Sequence, residues 1–255
     1  RNRHCIGSET CPNLNTSHDD YLKLLREIRS VKGVKKVFVR SGLRYDYVLA
    51  DHNKAFVKEL CQYHVSGQLK VAPEHVVKHV TDLMGKADVH AFLKFKDWFD
   101  EANRELGKKQ YLVPYFMSSH PGCTLKDAVA LAEFLRDMHM QPEQVQDFIP
   151  TPGSLSTAMY YTGLNPLTGE KVYVARRPEE KQMQRALMQY KNPANYDIVY
   201  KALCLAGRRD LIGYGPKCLI APRRHQAGRR PDKAGRHAAP PRRQGRGPAK
   251  TRKFR

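Results

Sequence analysis

Apolar positions along the chain recur with two alternating periods, one helical and one extended. Tyr21, Leu24, Leu25 and Ile28 share a helical face behind Ser17, with Asp20 three residues on to complete a capping box, and Gly33 stops the run. "KKVFVRSG" (35–42) reads as a strand with β-branched Val37 and Val39. A helix is predicted through "NKAFVKELCQYHV", with Phe56, Leu60 and His64 on one side and Gly67 at its end. "QLKVAPEH" (68–75) is a second strand, and "VVKHVTDLMG" and "VHAFLKFKDWFDEANREL" are helical. "YLVPYFM" is a third strand, and Thr124 with Asp127 caps the helix behind it. "EQVQDFIP" (143–150) is a fourth strand, followed by "TPGSLSTAMYYTG".

Strands starting near 35, 68, 110 and 143, each followed by a helix, predict an α/β fold of right-handed βα units on a parallel sheet. Four such units are too few to close an eight-stranded barrel. After Gly163 the character changes. "NPLTGEKVYVAR" reads as a surface excursion, Pro178 opens a helix carrying Met183, Leu187 and Tyr190, and Asn192-Pro193 starts another that Gly207 ends. The expected parts are a βα region over 1–163, a helical extension over 164–221 and a tail over 222–255.

Composition sharpens that last boundary. The net charge is +20, and the tail alone holds thirteen Lys/Arg against the single acid Asp232. With Phe254 as its one aromatic and no aliphatic side chain larger than Ala, the tail has too little apolar surface to offset its ordering entropy, so disorder is expected. A basic arm of this kind attracts polyanions, RNA among them, through counterion release; a solubilising role is the plainer alternative. No apolar run approaches the length of a membrane span and no signal peptide opens the chain. Six cysteines at 5, 11, 61, 123, 204 and 218 do not resemble a secreted disulfide framework, and a reducing cytoplasm is expected.

Ligands of parallel α/β folds bind beyond the carboxyl ends of the strands. Here those ends read Arg40-Ser41-Gly42, Pro73-Glu74-His75, Ser118-Ser119-His120-Pro121-Gly122 and Pro150-Thr151-Pro152-Gly153. Each has a plain reading as turn residues or solvated side chains, but the four together bring cations, hydroxyls, a carboxylate and imidazoles to one face. His64, His79 and His139 fall on helices and His18 and His52 near helix starts, where core or solvated roles suffice.

"YFMSSHPGCTLKDAVALAEFLRDM" resembles the strand–FPGET–helix segment of radical S-adenosylmethionine enzymes. "LKVAPEHVVKHVTDLMGK" resembles the barrel segment before it, and "VQDFIPTPGSLSTAMYY" a segment of the methylthiotransferase-like branch. With "CPNLNTSHDDY", "GVKKVFVRSGLRYD" and "DLIGYGPKCLI", the resemblance to the bacterial YgiQ-type proteins covers roughly residues 5–221. It implies the C-terminal part of a partial TIM-type barrel, followed by a helical region. It also implies a 4Fe–4S cluster, S-adenosylmethionine and a reductant such as flavodoxin or ferredoxin for a full-length parent.

The family's CxxxCxxC is absent; Cys5 and Cys11 have five residues between them. The chain therefore reads as a fragment, inactive without the missing N-terminal part that would hold the cluster, and neither cofactor is expected to bind it productively. The resemblance places Arg40, Ser41, Ser119, His120, Pro121, Gly122, Thr151, Pro152 and Gly153 against the cofactor. Glu74 and His75 become the catalytic candidates, and Cys5 and Cys11 a possible auxiliary metal pair. A non-catalytic RNA-binding or ribosome-associated scaffold acting through the tail is the competing expectation.

Overall fold

A computed structural model describes residues 11–51, 53–142 and 145–223. Expectations for Cys5, for His52 and for the tail beyond Arg223 lie outside the described residues. Those up to Pro222 belong to one compact unit.

The sheet has three parallel strands in chain order, β1 (Gln68–Glu74), β2 (Tyr111–Ser118) and β3 (Gln146–Asp147). β1 and β2 pair from Gln68↔Tyr111 to Val71↔Pro114, slip, and resume at Glu74↔Phe116. β3 meets β2 only at Met117↔Gln146 and Ser118↔Asp147.

Two expectations need correction here. No strand forms at 35–42: among the described residues the segment's nearest pairing with the sheet is the isolated Leu43↔Val71 bridge, although its Val37 and Val39 pack in the core with Leu69 and Val71. Its Val39 N–H donates to His64 O (2.9 Å) in the neighbouring helical turn, which removes it from any ladder with β1. Of the predicted fourth strand (143–150), 143 and 144 lie outside the described residues, and among the rest only Gln146–Asp147 form a strand, with Pro150 and Pro152 offering no N–H beyond it.

Helices fill the intervals. α1 (Asp19–Ser30) starts two residues after Ser17, whose hydroxyl pairs with Asp19 instead of closing a box with Asp20. α2 (Tyr45–Ala50) was not foreseen; it buries Tyr45, Val48 and Leu49, an i, i+3, i+4 set. α3 (Lys54–Glu59) passes directly into a π-turn over Leu60–His64, and α4 (Lys78–Met84) and α5 (Val89–Glu105) follow β1. α6 (Leu125–Asp137) follows β2 and has the predicted Thr124–Asp127 capping box. α7 (Leu155–Thr162), α8 (Pro178–Met188, with proline in the first turn as predicted) and α9 (Tyr196–Leu205) complete the set among the described residues.

The core lies in two principal clusters. Phe56, Leu60, Val71, Phe92, Phe95 and Phe99 pack α3 and α5 against β1. Val80, Val129, Ala132, Leu187, Val199 and Leu203 join α4, α6, α8 and α9. Removing one such Phe side chain costs about 3–5 kcal/mol, so the clusters hold the carboxyl edge of the sheet rigidly.

Candidate functional site at the strand tips

At the end of β1, Pro73 lies within the slip in register, and Glu74 takes φ 65° while the His75 N–H donates to Pro73 O at 2.8 Å. A left-handed conformation at a residue with a side chain costs on the order of 1–2 kcal/mol. The Glu74 carboxyl stays partly exposed, 3.5 Å from Lys86 Nζ. Burial raises its pKa above the usual carboxylate range, and Lys86 pulls it part of the way back.

His75 is buried. Its Nδ1 accepts from Val77 N–H (3.1 Å), which leaves the proton on Nε2, 3.5 Å from Cys123 Sγ. Burial lowers the imidazole to about 4 and pushes the Cys123 thiol far above its ordinary value. The pair is neutral, and the thiol in turn faces Thr124 O.

The turn after β2 is equally enclosed. Ser119 has φ 61° and its hydroxyl is buried with no partner among the described residues. His120 donates from Nδ1 to Pro121 O (2.7 Å) and accepts at Nε2 from Ser156 Oγ (2.8 Å), with Phe148 edge-on at 5.1 Å. Burial holds this imidazole at about 4 as well. Gly122 has φ 93°, and a Cβ there would collide with Leu83 Cδ1. The left-handed φ favours glycine here, and the Leu83 side chain of α4 lies close beside it. The Ser118 hydroxyl donates to Asp147, whose other oxygen takes Arg185 at 3.1 Å.

These bonds tie the ends of β1, β2 and β3 into one network. The predicted residues divide around it. His75, Ser119, His120, Pro121 and Gly122 are buried; Arg40, Ser41, Thr151, Pro152 and Gly153 are exposed; Glu74 lies between. Of the two catalytic candidates, His75 has both ring nitrogens engaged, whereas Glu74 keeps an accessible carboxyl. Cys11 is partly exposed and free, and among the described residues no group of three or more His, Cys, Asp or Glu is placed to hold a metal ion.

Gln184, Tyr173 and Ser156 escaped the sequence reading. Gln184 had a signal: it falls at i+4 from Glu180 and i−3 from Leu187, a polar residue on the buried stripe of α8. Ser156 stood inside the quoted "TPGSLS" without distinction.

A parallel α/β sheet with its polar network at the carboxyl ends defines an α/β protein with a strand-tip site. Comparison with known proteins narrows this. Residues 143–254 match a family described as a domain of unknown function, DUF3362, a stretch that takes in the helical extension and the basic tail. A UPF0313 protein of Clostridium perfringens strain 13 is 59% identical over 220 residues, 86% of this chain and 33% of the relative. Another, from Methanocella arvoryzae, is 57% identical over 222 residues (87% and 37%), and one from Clostridium botulinum strain 657 is 54% identical over 220 (86% and 34%). The chain belongs to the UPF0313, or YgiQ-type, family. It spans about a third of the length of these curated relatives.

Proposed function

We propose that the chain is part of a radical S-adenosylmethionine protein, contributing C-terminal strands of a partial TIM-type barrel whose tips face the cofactor. One observation carries most of the weight. Among the described residues only Glu74, Ser119 and His139 take positive φ without being glycine, and two of the three stand at neighbouring strand tips. Strain of this kind collects at ligand sites, where the surroundings hold a conformation the residue alone would not adopt.

The residues present fit the group. Arg40 is exposed and offers a planar fork suited to a carboxylate; Ser41 beside it, also exposed, offers a hydroxyl for a ribose. Among the described residues the buried Ser119 hydroxyl has no partner, as a group awaiting one does. Thr151, Pro152 and Gly153 line the exposed rim, while Ser119–Gly122 forms the wall behind. Glu74, its pKa raised, holds a proton closer to neutrality than an ordinary carboxyl and can donate or accept at its exposed oxygen. Arg40, Ser41 and Ser119 would hold S-adenosylmethionine, which together with a reduced 4Fe–4S cluster would supply radical chemistry toward a substrate C–H bond. The cluster thiolates come, in this reading, from the two thirds of the family's length outside this chain.

The test is a chimera in which this chain replaces the matching third of the Clostridium perfringens relative. Reconstituted with iron and sulfide and reduced, it should bind S-adenosylmethionine and form 5′-deoxyadenosine. Glu74→Gln should lower the yield at least tenfold with cluster content unchanged. A loaded, folded chimera that neither binds nor cleaves S-adenosylmethionine would sink the reading.

A further inference from the structure

The turn after β2 is held from outside the strand–helix unit to which it belongs. Gln184, in the middle of α8, is fully buried. Its Oε1 accepts from Ser119 N–H at 2.9 Å, and its Nε2 donates to Cys123 O at 3.0 Å. One side chain thus spans the turn from its first residue to its last. Gly122 N–H donates to Tyr173 O (2.7 Å), and the Tyr173 hydroxyl is bonded to Glu180, one helical turn before Gln184. Every one of these partners lies in the region matched by DUF3362.

An amide at a core position of a helix is costly unless both its ends are paired. Here both are, and to groups that no strand or helix ladder can serve. The pairing holds Ser119 in its left-handed conformation and fixes the direction in which His120 leaves the chain. That direction places Nε2 against Ser156 in the first turn of α7.

We infer that the C-terminal region controls the strand-tip site through Gln184, a positioning residue that sets the Ser119–Cys123 turn and with it the His120–Ser156 contact between two tips. The consequence for ligand binding rests on the reading of these tips as the S-adenosylmethionine site; the hold on the turn does not.

Gln184→Met tests it, since Met keeps the volume and removes both hydrogen bonds. Leu187→Ala on the same helix is the control, because it opens a cavity in the α6–α8–α9 core and leaves the turn's bonds in place. In this chain Gln184→Met should speed amide exchange at Ser119 and Gly122 by about tenfold or more, well below the melting temperature. His120 should titrate upward from about 4 toward its ordinary 6.5. Leu187→Ala should lower the melting temperature and change neither readout. If Gln184→Met leaves Ser119 exchange and His120 titration as in the parent chain, the inference is overturned. In the chimera the same substitution should raise the KM for S-adenosylmethionine more than it lowers kcat. A parent chimera that binds no S-adenosylmethionine would end the cofactor reading while leaving the exchange result to decide the role of Gln184.

Discussion

Burial of two imidazoles within one network sets a dependence on pH. His75 and His120 both titrate near 4 in the folded protein and near 6.5 when exposed. Between those values the unfolded chain binds protons that the folded chain refuses, so stability is fully present above pH 6.5 and falls as pH drops toward 4. Each imidazole should account for about 3 kcal/mol over that window. Urea unfolding of His120→Gln beside the parent should show a flatter loss between pH 7 and 4, since the other titrating groups are common to both. Equal slopes would mean that His120 is not held neutral. Gly122 poses a second residue-scale question, because two causes coincide there. Replacing it with Ala adds a left-handed conformation, about 1–2 kcal/mol, and a collision with Leu83, about 1–3 kcal/mol. Leu83→Ala should rescue only the second part, so the double variant should be less destabilised than the sum of the singles. Strict additivity in the unfolding free energies would show that the Leu83 contact does not matter.

At the scale of elements, what could be read from the chain was whatever rests on local chemistry. The Thr124–Asp127 box, Pro178 in the first turn of α8 and the strands at 68 and 111 all depend on neighbours within a few residues, and they stand as expected. The extended segment at 35–42 has the right β-branched residues, but a strand also needs a partner, and its neighbour His64 sits on a π-turn that takes the Val39 N–H away from β1. α2 was missed because six residues carry too short a period to stand out, although Tyr45, Val48 and Leu49 do share a face. The position of the tips was legible: Glu74 ends β1 with His75 after it, and Ser119 and His120 follow β2 at the same end of the sheet. What could not be read was the clamp, since Gln184 reaches Ser119 across 65 positions of sequence and no local pattern encodes such a bond.

The whole molecule leaves apolar surface uncovered along both sides of its sheet. On the β1 side, Val34 and Phe38 are exposed on the segment after α1 while Val39 is buried, and Leu24 and Ile28 form an exposed i, i+4 pair on α1 with Val31 exposed just past its end. On the β3 side, Ile149, Leu155, Tyr161, Leu164 and Leu167 are exposed. Chains that stand alone seldom leave so many large apolar residues open, and an extended segment with one unpaired side invites another strand. The partial barrel proposed above would account for both sides at once, since polypeptide completing such a ring would meet each end of the open sheet. This chain by itself should therefore associate with rising concentration, through the β1 side first, because Val31, Val34 and Phe38 are exposed there. Sedimentation velocity from low to high micromolar protein should show a mass that grows with concentration. Phe38→Lys with Val31→Lys should return it to monomer without altering the helical content, because neither side chain belongs to the buried core. A parent chain that stays monomeric throughout and unfolds in one cooperative step of ordinary stability would show the sheet to be complete as it stands, and the partial barrel would then be wrong.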